Sequence, residues 1–292
     1  MADPIAISNG ELTARIDPLG AELLSLQDSA GREYMTDGDP AFWTGHAPLL
    51  FPIVGALHGG TYRHDGREYA LAKHGFARGS RFTCEEHDAA GRVRFVLEAN
   101  AATRQAYPFE FRLEMLFELR GSTLGMIATI ANAGDAAMPF SFGFHPAFAW
   151  PLPGGGEKLA HAVVFQQAEL QDIRRIDADG LVAHREASPV RGDRLALSPA
   201  LFEGDALIWD QLASRRLSYE GKDGAALDIA FPDTPMLGIW QKPGANFICI
   251  EPWAGIADSA GYSGDFRDKP GVMELAPGGS RAFRMDVTVV RG

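Results

Sequence analysis

Only two cysteines, Cys84 and Cys249, occur in 292 residues, and that scarcity excludes a disulfide framework. Neither has another Cys or a His at zinc-ligand spacing, and both lie in apolar, strand-like segments, so buried free thiols are expected. Basic residues are also scarce: 27 Lys and Arg against 38 Asp and Glu leave a formal net charge of −11. No basic patch is available to neutralise phosphates, which argues against nucleic acid or an anionic membrane as a partner. An apolar run long enough to span a bilayer is missing, and Met1 to Glu11 lacks the basic and apolar regions of a signal peptide. A cytoplasmic protein is the expectation. Helical periodicity is missing too, the best short candidate being a single turn from Pro199 to Glu203.

What is present is alternation. Phe109 to Leu119 alternates apolar and polar residues with a period near two, and so do Arg81 to Glu86 and Val93 to Ala99. Ile5 to Ser8 and Leu12 to Ile16 flank Asn9-Gly10, the dipeptide of a tight hairpin. Further strands are expected at Leu124 to Asn132, Ala162 to Ile173, Leu181 to Ala183, Ala206 to Trp209 and Arg216 to Tyr219. From Asp37 to Gly60 the chain is rich in Gly, Pro and aromatic residues and reads as a long packed connection lining one end of a sheet. With 33 glycines and 18 prolines as punctuation, this pattern predicts an all-β fold, a large antiparallel sandwich or barrel. No linker, composition shift or repeat divides it, so residues 1–292 are expected to form one domain.

Two ionisable residues sit in unusual company. His145 lies inside the aromatic run Phe140 to Phe148, either as a core histidine with satisfied nitrogens or as a proton-transfer group in a ligand pocket. Glu251 is expected at the end of the apolar strand leading to Ile250, either solvated, paired, or held in a dry pocket where its pKa rises enough to serve as a base. Trp240 and Trp253 flank it, as core packing or as a flat face for a ligand. A third polar and aromatic cluster is Lys73-His74-Gly75-Phe76-Ala77-Arg78.

In order along the chain, His74-Gly75-Phe76-Ala77-Arg78, Gly143-Phe144-His145-Pro146-Ala147-Phe148 and Glu251-Pro252-Trp253-Ala254-Gly255-Ile256-Ala257-Asp258 resemble the aldose 1-epimerase (galactose mutarotase-like) family, in its LacX-like bacterial branch. Phe51-Pro52-Ile53-Val54-Gly55 and the ending Lys269 to Leu275 are similar to the same branch. The resemblance implies an antiparallel supersandwich with an open sugar cleft, and the interconversion of α and β anomers of an aldose by ring opening and reclosure. It also implies Glu251 as general base, His145 as general acid, His74 as a second histidine on the substrate oxygens, and Asp205 as a carboxylate holding sugar hydroxyls. Arg78, Phe144, Trp240 and Trp253 would complete the sugar site. The partner implied is a monosaccharide, with neither metal nor cofactor.

One departure bears on the substrate. The family branch carries an arginine after Phe-Pro-x-x-Gly, whereas here Ala56-Leu57-His58 follows Gly55, leaving His58 or Arg63 as stand-ins. Hexose-6-phosphate 1-epimerase is the alternative activity, and a missing guanidinium counts against it. A glycosidase would need two carboxylates straddling the bond, and a metalloenzyme built on His74, His145 and an acid lacks a His-x-His pattern. A non-catalytic sugar-binding protein on the same fold remains open.

Overall fold

The computed structural model describes residues 3–291. Two large sheets face each other, and every ladder between their strands is antiparallel. The first has nine strands with Ser280–Val290, Thr123–Asn132 and Phe111–Arg120 adjacent at its middle. The second has eight, in which Phe247–Ala254 pairs with Met236–Trp240 on one side and with Phe142–Phe144 and Ala147–Ala149 on the other. A separate three-stranded sheet holds Ile5–Ser8, Leu12–Asp17 and Glu22–Asp28. Gly10, with φ of 88°, takes the left-handed turn that the Asn9-Gly10 pair predicts.

Alternation places the core. Along Phe111–Arg120 the residues Phe111, Leu113, Met115 and Phe117 are buried and those between are half-buried, so one face is committed to the interior. Rings join the sheets across that interior: Phe142 stacks on Phe283 at 5.0 Å, and Phe165 meets Trp209 at 5.6 Å. The fold is therefore an antiparallel β-sandwich, as the sequence predicts.

Four local expectations are revised. A short helix, Ala101–Ala106, is capped by Asn100, whose Oδ1 accepts the Ala102 and Thr103 N–H groups while Thr103 Oγ1 accepts that of Asn100. Six residues are too few to register as a period, and this capping box is their only sequence signal. The strand from Ala162 ends at Phe165, and the chain loops before resuming at Ile173–Ile176. The turn at Pro199–Phe202 is a 3-10 turn. Cys84 is exposed, because its strand Thr83–Asp88 is the edge of the nine-stranded sheet and packs little of either face.

Candidate functional site

The outer face of the eight-stranded sheet carries a cleft of about 240 Å³, and strand alternation decides which side chains reach it. Glu251 is inside the strand Phe247–Ala254, not at its end, and sits opposite Gly238 in register. Ile248 and Ile250 point into the main core, whereas Glu251 and Trp253 line the cleft. Trp253 lies across both neighbouring strands because each has a glycine beneath it. A Cβ at Gly143 would come 2.5 Å from its Cδ1, and a Cβ at Gly238 would come 2.5 Å from its Cη2.

The same period splits the central aromatic run. Phe140, Phe142, Phe144 and Phe148 are all core residues, and His145 alone reaches the cleft. Phe144 thus does not offer a face to a ligand; it meets Phe142 edge-on at 5.0 Å in the interior. The aromatic lining comes instead from Trp43, Trp240 and Trp253, with the Trp43 ring 5.2 Å from His145.

His145 Nε2 lies 3.1 Å from Glu251 Oε2, and both residues are buried, at 8% and 2% exposure. Burial drives both groups toward their neutral forms. It holds the Glu251 carboxyl well above the usual carboxylate range, opposed by the Lys73 charge and reinforced by Asp205. It also depresses His145 to about 3, with the Arg78 and Lys73 charges adding to the effect. Desolvation is the largest cause of both shifts, so burial leaves the imidazole neutral even beside a carboxyl group. Burial thus favours the arrangement with the Glu251 carboxyl protonated and the His145 imidazole neutral.

His74 faces His145 with ring centroids 5.7 Å apart. Its Nδ1 accepts the Gly55 N–H at 3.1 Å, so the ring proton must sit on Nε2, a donor. Protonation would destroy that acceptor, and burial, followed by the charges of His145, Lys73 and Arg78, holds His74 well below its ordinary range. Its backbone has a positive φ of 69°, and Gly75 behind it packs so tightly that a Cβ would come 2.2 Å from the Phe51 carbonyl oxygen.

Arg78 and Asp205 both line the cleft. Asp205 is exposed at the rim with φ of 69°, and its carbonyl accepts Arg175 Nη1 at 2.8 Å. Neither proposed stand-in for the absent arginine reaches the site: His58 and Arg63 line a separate depression beside Tyr262. Lys73 and Arg78 supply the cations instead, and neither is ion-paired among the described residues. Sequence reasoning did not single out Lys73 or Trp43 as site residues. Lys73 adjoins His74 in a cluster already conspicuous, while Trp43 belongs to the irregular connection, which carries no periodicity to orient it.

Behind this wall, Asp258 and Lys269 form a buried ion pair at 2.6 Å. Asp258 Oδ2 also accepts the His58 N–H, and the Asp258 N–H donates to the Ala56 carbonyl. The pair therefore clasps the segment next to Gly55, which in turn orients His74.

The sequence profile of aldose 1-epimerase matches residues 3–260. The chromosomal protein LacX of Lactococcus lactis subsp. lactis is 31% identical over 297 residues, 98% of this chain and 99% of that protein. Among solved structures, a galactose mutarotase related enzyme from Lactobacillus acidophilus superposes with a TM-score of 0.92 at 31% identity, covering 98% of this chain and 97% of that one. A galactose mutarotase-like protein from Lactobacillus casei gives 0.90 at 30% identity, over 98% and 99%. A cleft built on Glu251, His145 and His74, within a match that runs along nearly the whole chain, leads to one assignment: the chain belongs to the aldose 1-epimerase family.

Proposed function

We propose that this protein is an aldose 1-epimerase, a single-domain cytoplasmic isomerase that interconverts the anomers of a monosaccharide. The observation carrying this reading is the buried His145–Glu251 contact of 3.1 Å at the wall of a small cleft. Ring opening of a hemiacetal needs a base and an acid on two oxygens of one carbon, so the two groups must converge on one small volume. Glu251 takes the proton of the anomeric hydroxyl as the carbon–oxygen double bond forms, and His145 delivers a proton to the ring oxygen as its bond to the anomeric carbon breaks. Rotation about the next carbon–carbon bond and the reverse transfers close the ring on its other face.

These roles require the carboxyl proton to cross from Glu251 to His145 before the chemistry. Sugar hydroxyls donating to the carboxylate favour its ionised form and drive that transfer. His74 offers its Nε2–H to a sugar oxygen, Asp205 accepts from hydroxyls at the rim, and Trp240 and Trp253 give flat apolar surface. Arg78 donates to ring oxygens.

Lys73 and Arg78, two cations without ion-pair partners among the described residues of a strongly acidic chain, favour a second reading in which the aldose bears a phosphate. Exchange spectroscopy by NMR on aldoses and aldose phosphates tests both. Faster anomer exchange with enzyme than without supports epimerisation, and the preferred panel identifies the substituent. Tight binding of a sugar without any acceleration would instead make this a sugar-binding protein.

A further inference from the structure

One reactive side chain next to the acid–base pair has no part in this chemistry. Cys249 precedes Glu251 by two residues on the same strand, so both point to the same face. It is fully buried among Ala147, Ala245 and Phe247. A ring nitrogen of His145, the Cys249 Sγ and a carboxylate oxygen of Glu251 all lie within 4.8 Å of one another. Glu251 Oε2 meets His145 Nε2 at 3.1 Å but outside hydrogen-bond geometry, and His145 Nδ1 has no hydrogen-bond partner among the described residues, although both side chains are at least nine-tenths buried. Such unpartnered polar atoms in a dry corner need an explanation.

The donor set supplies one. Imidazole nitrogen, thiolate sulfur and carboxylate oxygen are the ligands of a borderline-soft divalent cation, and three protein ligands with a fourth position open to the cleft form a familiar tetrahedral arrangement. Ligand atoms around tetrahedral zinc are roughly 3.5 Å apart, so these three, none more than 4.8 Å from another, need a contraction of at most about 1.3 Å to come into range. The other cluster of this kind among the described residues, His64, Asp65 and Asp265, is already engaged by Arg267, at 2.7 Å from Asp65 and 2.9 Å from Asp265.

We propose that His145, Cys249 and Glu251 form a binding site for a thiophilic divalent cation, zinc or cadmium, whose occupancy blocks the sugar cleft. On binding, a metal–sulfur bond replaces the Cys249 S–H bond and the metal displaces the proton held by the His145–Glu251 pair, so two protons leave to solvent. The site stands on its geometry, and only the block of turnover rests on the proposed function.

The experiment uses the full chain carrying Cys84→Ser, because the exposed Cys84 would bind these metals by itself. Cadmium titration is expected to produce an ultraviolet thiolate-to-metal charge-transfer band that saturates at one equivalent, with a matching zinc isotherm by calorimetry. Adding Cys249→Ala should abolish both. His145→Asn keeps the thiol and is expected to weaken cadmium binding by about tenfold or more, which guards against a Cys249 variant that fails to fold. No band with Cys249 present, a band persisting without it, or unchanged affinity in His145→Asn overturns the site. Zinc should also slow anomer exchange, with recovery on adding a chelator. A protein with no anomer exchange but an intact cadmium band would overturn the epimerase reading and leave the metal site standing.

Discussion

His74 and Gly55 hold each other at both ends: the Gly55 N–H donates to His74 Nδ1 at 3.1 Å, and the His74 N–H donates back to the Gly55 carbonyl at 2.9 Å. This reciprocal pair makes the imidazole orientation a property of the backbone. Replacing His74 by Ala leaves a buried N–H unsatisfied, which costs about 1–3 kcal/mol in urea unfolding. In addition, KM for the sugar should rise. Unchanged stability would show that the Gly55 N–H finds another partner.

Glu251→Gln separates activity from stability. Loss of the proposed base should lower turnover by about 10²- to 10⁴-fold, measured by polarimetry or NMR exchange. Stability should move the other way. The unfolded carboxyl titrates near 4.5 while the folded one keeps its proton to higher pH, so above that value ionisation favours the unfolded chain and stability falls as pH rises. Gln removes this loss, and the gain in urea midpoint over the parent should therefore widen as pH rises above the unfolded carboxyl's 4.5. A constant gap would place Glu251 in a more solvated setting.

His145 has the opposite sign. Its unfolded ring titrates near 6.5 and its buried ring near 3, so the unfolded chain binds the extra proton in between, and stability is lost as pH falls through that window. His145→Asn should flatten the acid side of the stability profile between those values while lowering turnover by about 10²-fold or more. An acid limb unaltered by the substitution would mean that other groups set it.

Gly238→Ala tests the aromatic floor. Its Cβ would sit 2.5 Å from the Trp253 ring, so the indole must tilt or shift. Weaker sugar binding is expected with kcat affected less than KM, since Glu251 and His145 keep their places. Near-ultraviolet circular dichroism should report the displaced indole, and an unchanged spectrum with unchanged KM would count against a role for this face.

The Asp258–Lys269 pair is a structural clasp. Lys269→Met leaves a buried carboxylate uncompensated and should cost about 3–5 kcal/mol, whereas Lys269→Met combined with Asp258→Leu should recover most of it. Because Asp258 also accepts the His58 N–H, recovery of stability without recovery of KM would locate its second duty at the cleft.

The strands were legible from residue order because a half-buried strand must alternate, and Phe111–Arg120 does so along its whole length. Turn chemistry placed the first hairpin at Asn9-Gly10, and the apolar settings of His145 and Glu251 marked them as groups whose proton affinity would be shifted. Period two, however, tells which residues share a face and not which face looks inward when both are apolar. The motif that suggests Phe144 as a sugar contact does not show that its side chain faces the core, and the apolar setting of Cys84 does not show that its strand is an edge. Trp43 and Lys73 became part of the site only through the packing of loops remote in sequence. The direction of the proton in the His145–Glu251 pair was likewise a tertiary matter, since it depends on how far burial outweighs the attraction between the two, and composition carries no measure of that.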